Sequence, residues 1–212
     1  MKLHTFFRSS ASFRVRIALN YKGIAYEPAL VNLPKAQNLD AAYRAVNPQG
    51  LVPTLEDGGH VLTQSLAIIE YLDEVYPGPK LLPASPLDRA YVRAFSQIVA
   101  CEIHPINNLR VLKHIRKTYK LDEEGVNAWY RHWIAEGFQM MESFLVANNR
   151  HGKFCLGDQV SMADCCLVPQ VFNAQRYECD LAPYPTVMRI HEECMKLAAF
   201  IAAQPSKQPD TV

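Results

Sequence analysis

The chain has 212 residues, with 22 Lys and Arg against 21 Asp and Glu and a hydrophobic share of 49%. A formal charge of +1 gives no global field to draw nucleic acid or an anionic membrane, so neither is expected as a partner. No run approaches the roughly 20 apolar residues that span a bilayer, and the chain opens on a charged residue and a strand pattern, so a cytoplasmic protein is expected.

In chain order, Lys2 to Phe7 reads as a strand and Ser12 to Lys22 as a helix, with Phe13, Ile17 and Tyr21 at four-residue spacing and Gly23 as its stop. Between them lies Arg8-Ser9-Ser10-Ala11-Ser12, where a strand ends and a helix begins. Unsatisfied N–H groups there favour an anion, and a thiolate is one such anion. The stretch has no cysteine, so a thiolate used there comes with a ligand. Tyr26 to Leu33 reads as a second strand, completing a parallel βαβ unit. Leu39 to Val46 is a short helix closed by Asn47-Pro48-Gln49-Gly50. Two β-rich runs flank Asp57-Gly58-Gly59 as an antiparallel hairpin, with Pro53 at the start of the first, in a position that suits a cis bond. Gln64 to Tyr76 is a helix ended by Pro77-Gly78-Pro79.

From Pro86 onward no alternating strand pattern appears. Leu87 to Tyr119 and Glu123 to Asn148 read as two long helices. Ser161 and Asp164 resemble a capping box opening a helix towards Tyr177, which makes Asp164 a cap and not a catalytic carboxylate. Pro183 and Pro185 precede one or two terminal helices, and Pro205 to Val212 reads as a polar tail. Trp129, Tyr130 and Trp133 read as helix packing, and Arg14 and Arg16 as structural ion pairs or a solvated face. The six cysteines lack ligand or CxxC spacing and read as reduced thiols; the histidines also lack ligand spacing, so no metal is expected. The fold class is thus α/β plus all-α: a βαβ-α-ββ-α unit over residues 1–80 and an all-helical unit over 86–212.

This order, with Val52-Pro53 before a hairpin and Gln64-Ser65 opening a helix, resembles the cytosolic glutathione transferases over the whole chain. Ser9-Ser10-Ala11-Ser12-Phe13-Arg14-Val15-Arg16-Ile17-Ala18-Leu19 resembles the signature of the zeta class, which contains maleylacetoacetate and maleylpyruvate isomerases. Asn47-Pro48, Val52-Pro53-Thr54-Leu55, Ala163-Asp164 through Leu167-Val168-Pro169-Gln170 and the closing Gln208-Pro209-Asp210-Thr211 agree with it. One position departs: Ala11 stands where the signature has cysteine.

The resemblance implies a thioredoxin-like glutathione-binding unit, an all-α substrate-binding unit, glutathione as cofactor and a homodimer. It implies cis–trans isomerisation of maleylacetoacetate or maleylpyruvate by reversible thiolate addition to the double bond. Ser9 is the first choice for hydrogen-bonding the sulfur and Ser10 the second, against simple capping of the first helix. Gln64 and Ser65 are expected at the γ-glutamyl end, Val52 and Pro53 at the cysteinyl part, and Gln49 and Lys35 at the glycyl end. His104 and Asn108, one turn apart on the first long helix, are further cofactor contacts. Arg8, Arg110 and Arg176 are expected to take the dianionic keto acid, with Arg8 and Arg176 also placed in catalysis. The alternatives are a general glutathione transferase, an α-halo acid dehalogenase, or a non-catalytic interaction module on the same fold. The sequence does not separate the two isomerase substrates.

Overall fold

A computed structural model describes residues 1–211. Its contacts divide the chain into two units, Met1–Leu82 with the segment from Met195 onward, and Pro83–Cys194.

The first unit is built on a four-stranded sheet. Strand β1 (Lys2–Thr5) lies parallel to β2 (Glu27–Leu30) and antiparallel to β3 (Thr54–Asp57), which pairs antiparallel with β4 (His60–Thr63), in the order β2-β1-β3-β4. The hairpin closes on Gly58 and Gly59 at φ 54° and 83°, a two-residue turn that needs positive φ at both positions. Helix α1 (Ser10–Lys22) starts two residues earlier than expected, because Ser9 is its N-cap. Gly23 ends it at φ 68°, with its own N–H and that of Ile24 bonded back into the last turn. A 3₁₀ turn at Gln37–Leu39 and helix α2 (Ala41–Val46) replace the single short helix expected there. Helix α3 (Ser65–Val75) buries Ile68, Ile69 and Leu72 completely, against a core that includes Leu3, Ile17 and Leu55.

Helix α1 is buried around its whole circumference, as Phe13, Val15, Ile17 and Leu19 share the interior with Arg14 and Arg16 at 1% and 0% exposure. Neither arginine lies on a solvated face, contrary to one of the two sequence expectations. Arg16 donates from Nε to the Ala203 carbonyl at 3.1 Å, from Nη1 to Thr5 Oγ1 at 3.1 Å and the Phe6 carbonyl at 3.4 Å, and from Nη2 to the Phe7 carbonyl at 3.0 Å. Burial lowers its pKa to about 10, while Tyr26 and Asp210 act to raise it, so it stays charged at neutral pH. Lys22 and Asp73 form a second buried tie at 3.3 Å, and Asp73 also accepts from the N–H groups of Leu81 and Leu82.

The last segment departs from expectation. Helix α9 (Ala198–Ala203) packs on α1, a 3₁₀ turn follows at Pro205–Lys207, and Asp210 Oδ2 accepts from the Phe7 N–H at 2.9 Å. The expected division placed everything from 86 to 212 in the helical unit, with a polar tail. In the structure, the residues from Met195 pack with the sheet unit because its buried carbonyls and N–H groups are paired there.

The second unit is all helical. The expected single helix from Leu87 to Tyr119 is three pieces: α4 (Pro86–Gln97), a π-helical turn (Ile98–Ile103), and α5 (Leu109–Tyr119) after an irregular turn. Two causes are visible. Pro105 has no N–H to continue the ladder. Gly137, on α6 (Glu123–Asn148), abuts the π turn so closely that a Cβ there would lie 2.3 Å from Ile103 Cδ1. Helix α7 (Met162–Arg176) carries the expected capping box. Asp164 is fully buried and accepts from the Ser161 N–H and hydroxyl and the Cys155 N–H, each at 2.8 Å, so it is a structural cap. Burial of Asp164 pushes its carboxyl pKa up, against the hydrogen bonds that act to lower it. Helix α8 (Pro185–Cys194) is capped from outside by Glu142, whose two oxygens accept from Thr186 and Val187 at 3.0 Å. All six cysteines are free. No helix among the described residues is long and apolar enough to cross a membrane.

Replacing Arg16 by Leu strands the carbonyls of Phe7 and Ala203, on two elements, while the Phe6 carbonyl keeps the Ser9 N–H. Losing charge-assisted bonds and leaving acceptors unpaired costs about 1–3 kcal/mol each, so Arg16→Leu is expected to lower the unfolding free energy by about 3 kcal/mol or more. The urea midpoint should fall with little change in slope.

Candidate active site

The turn after β1 brings Ser9 and Ser10 to the start of α1, Ser9 half-buried and Ser10 buried. Ser9 Oγ accepts the Ser12 N–H at 3.2 Å, which is N-capping. The same oxygen keeps its own proton, so the hydroxyl can cap the helix and donate to an anion at once. Ala11, at 8% exposure, places no polar atom beside them. Arg8 is exposed, and its guanidinium rests against Phe7 and Phe6, 5.0 and 5.9 Å from the ring centroids.

The loop before β3 is held by a buried network that sequence reasoning missed. Asn47 Nδ2 donates to the Leu51 carbonyl at 2.9 Å and to Thr54 Oγ1 at 2.8 Å, while Asn47 Oδ1 accepts the Gln49 N–H at 3.0 Å. The Tyr43 hydroxyl reaches the Leu51 carbonyl at 2.5 Å and Thr54 Oγ1 at 2.9 Å. Burial raises the Tyr43 pKa, with the Thr54 and Asn47 hydrogen bonds opposing it. The network fixes the turn that leads into Val52-Pro53, and that peptide bond is cis, as expected. Sheet pairing begins at Thr54, so the Val52 peptide lies outside the ladder. The only sequence signal for the network was the turn composition of Asn47-Pro48-Gln49-Gly50.

Gln64 and Ser65 stand at the start of α3. Gln64 is exposed at φ 70°, ψ 115°, a conformation unfavourable for any residue with a Cβ, and makes no side-chain cap. Its amide donates to Gln49 Oε1 at 3.3 Å, so two of the expected cofactor residues meet. Ser65 is buried, and its Oγ accepts from Arg14 Nη1 at 3.2 Å. A guanidinium offers no acceptor, so the Ser65 proton must point elsewhere. With the uncapped N–H groups of α3, this hydroxyl makes a donor set suited to a carboxylate. Arg14 was not among the expected site residues. Lys35 is exposed on the loop after β2 with its N–H on Asn32 Oδ1, and none of its recorded bonds joins it to Gln49 or Gln64.

The remaining expected residues belong to the helical unit. His104 and Asn108 do not share a helix: both lie in the irregular turn between the π turn and α5, where Asn108 caps α5 by accepting the Arg110 N–H at 3.1 Å. The break around Pro105 is the reason. Arg110 is exposed in the first turn of α5. Arg176 is exposed as the last residue of α7. Tyr130, expected only to pack, stacks on Tyr177 with ring centroids 3.6 Å apart. Trp129 does pack, with Nε1 on the Ile106 carbonyl at 3.1 Å.

Residues 3–80 match the model of the glutathione S-transferase N-terminal domain. A maleylpyruvate isomerase from a Ralstonia species is 49% identical over 211 residues, covering all of both chains. The chain belongs to the zeta class of glutathione transferases. Its fold agrees with the holo structure of a maleylpyruvate isomerase, a bacterial zeta-class glutathione transferase, at a TM-score of 0.97 and 49% identity over all of both chains. A maleylacetoacetate isomerase from Methylobacterium extorquens AM1, solved with malonate and glutathione, also reaches a TM-score of 0.97, at 42% identity over all of both chains. For this zeta-class chain, the sheet unit is the thioredoxin-like half expected from the sequence.

The Gln64 backbone yields a stability test that needs no ligand. At positive φ, glycine escapes a Cβ penalty that alanine retains. Gln64→Gly is therefore expected to be about 1 kcal/mol more stable than Gln64→Ala, the reverse of the order in a helix interior, when both are compared by thermal or urea unfolding.

Proposed function

We propose that the protein is a glutathione-dependent cis–trans isomerase of maleylpyruvate or maleylacetoacetate, acting in the breakdown of aromatic compounds. The observation that carries this reading is the pair of donor-rich helix starts in one unit. Ser9 and Ser10 open α1, Ser65 opens α3, and each of Ser9 and Ser65 accepts from inside the protein while keeping a proton to give. These residues fit glutathione, which has a thiolate at one point and a γ-glutamyl carboxylate at another. When bound, glutathione supplies the nucleophilic thiol that adds reversibly to the double bond and allows rotation.

The protein's own residues then have separate tasks. The Ser9 hydroxyl, with the α1 N-terminus and Ser10, favours the thiolate by hydrogen bonding to the charged form. Ser65 and Gln64 hold the γ-glutamyl carboxylate, and Gln49, in contact with Gln64, supports the other end together with Lys35. The unpaired Val52 peptide, set by Pro53, takes the cysteinyl backbone as an added strand would. His104 and Asn108 contribute further contacts to glutathione. Arg8, Arg110 and Arg176 bind the carboxylate and keto-enol groups of the substrate, with Arg8 and Arg176 nearest the chemistry. The working form is a homodimer in the cytoplasm. Identity to a maleylpyruvate isomerase and structural likeness to a maleylacetoacetate isomerase support the reaction class.

Incubation with glutathione and each freshly prepared acid in turn should give rapid isomerisation with no net loss of thiol. A rate no higher than the glutathione-only blank sinks the reading. Thiol consumption or halide release from an α-halo acid, without isomerisation, would instead mark a transferase or dehalogenase.

Two variants separate the binding and activation roles. Ser9→Ala is expected to lower kcat by about 10²-fold, the usual loss on removing one donor to a developing or stabilised anion, and to raise the pKa of the bound thiol followed by its ultraviolet absorbance. Ser65→Ala is expected to raise the KM for glutathione at least about tenfold while leaving kcat at saturation nearly unchanged.

A further inference from the structure

Arg176 ends α7 as an exposed, long and flexible side chain, yet its guanidinium has a defined seat. Its carbon lies 4.7 Å from the ring centroid of Tyr177. Tyr177 is stacked in turn on Tyr130 of α6, with centroids 3.6 Å apart and planes 12° from parallel. Tyr130 is buried, at 4% exposure. The Tyr177 carbonyl accepts Nε–H of Arg131 at 2.8 Å, and Arg131 pairs with Glu124 at 2.9 Å. Ring and backbone of Tyr177 are thus both anchored to α6. Burial pushes the Tyr130 pKa up, and the nearby positive charge of Arg176 opposes that rise.

Helix packing alone requires Tyr130 to be covered. It does not require an arginine to be seated against the covering ring. A guanidinium held against an aromatic face keeps its planar N–H fork available and has fewer rotamers to lose when a carboxylate arrives. We propose that Tyr177, held by Tyr130, is a positioning residue that orients Arg176 to fork a carboxylate of the dianionic substrate. The proposal rests on the reading above, in which Arg176 binds that substrate. It adds a specificity role for Tyr177, and for Tyr130, which the sequence marks only as packing.

The test replaces Tyr177 by phenylalanine carrying zero, one, two or three ring fluorines, in the full-length protein with saturating glutathione. Fluorine removes the negative ring face with little change of shape, so packing is retained and the folded state is kept. Tyr177→Phe should stay within about twofold of wild type. Each added fluorine should raise the KM for maleylpyruvate, reaching about five- to tenfold at three, with the calorimetric affinity for glutathione unchanged. Tyr177→Leu should match or exceed the trifluorinated variant. A KM flat across the fluorine series, while Arg176→Lys raises it, overturns the positioning role and leaves the isomerase reading standing. If Arg176→Lys leaves the KM unchanged, the substrate role of Arg176 fails and Tyr177 falls with it. A wild-type protein that isomerises neither acid overturns the functional reading itself, a result distinct from both.

Discussion

The guanidinium of Arg16 is the tie on which the sheet unit depends. The turn from β1 into α1 brings the hydroxyls of Ser9 and Ser10 to the start of the helix, and the carbonyls of Phe6 and Phe7 are turned inward. Buried carbonyls need donors. One planar group with five N–H donors supplies Phe7, shares Phe6 with the Ser9 N–H, and also reaches Thr5 and the end of α9, at distances of 3.0 to 3.4 Å. A lysine ammonium is a point charge on a flexible stem and cannot span a strand end and a helix end in fixed directions. Asp210 completes the arrangement from the other side by accepting the Phe7 N–H. The shape of the turn that opens the site is therefore set by residues about 200 positions further along the chain, which is why the last segment belongs to the first unit.

The Arg-Val-Arg spacing follows from the same constraint. Residues two apart on a helix point about 200° apart, so Arg14 and Arg16 serve different neighbours. Arg16 faces the strand ends and α9, and Arg14 faces α3, where it fixes the Ser65 hydroxyl. One short helix thereby controls both donor sets of the site. Its burial on all sides is the structural cost, offset by hydrogen bonds to both charged groups.

What could be read from the sequence was whatever local chemistry decides. Asp122 and Asn149 bound α6 and make its limits coincide with the expected Glu123 to Asn148. Gly23, Gly58 and Gly59 mark turns that only positive φ allows. Misreadings came where a distant partner decides. Apolar periodicity runs on through Ile98–Ile103, but the π turn there answers to Gly137, whose missing Cβ leaves room for Ile103. Pro205 to Thr211 is polar by composition, yet Pro205 is buried and Asp210 finds its partner at Phe7. The site divided in the same way. Ser9, Gln64 and Ser65 were proposed through a motif, whereas the Asn47 network, the Arg14 contact and the Tyr177 stack have no signature, since each depends on which side chains the fold brings together.

Ala11 bears on how the chemistry is divided between protein and cofactor. A cysteine in the first turn of α1 would feel the same helix terminus that stabilises any anion there, and so would compete for the thiolate character the site creates. Alanine removes that competitor without loss to the helix, since it has the best helix propensity and its side chain is buried against the core. The six cysteines all lie between Cys101 and Cys194, outside the sheet unit altogether. Four of them are buried, and burial pushes the thiols of Cys155 and Cys194 up in pKa, away from the thiolate form. The unit in which we place the donors for a sulfur anion therefore contains no cysteine of its own. In the proposed reaction its hydroxyls and helix termini act on a thiol that arrives with its own carboxylate, so recognition of that carboxylate at Ser65 would be the condition for having a nucleophile at Ser9.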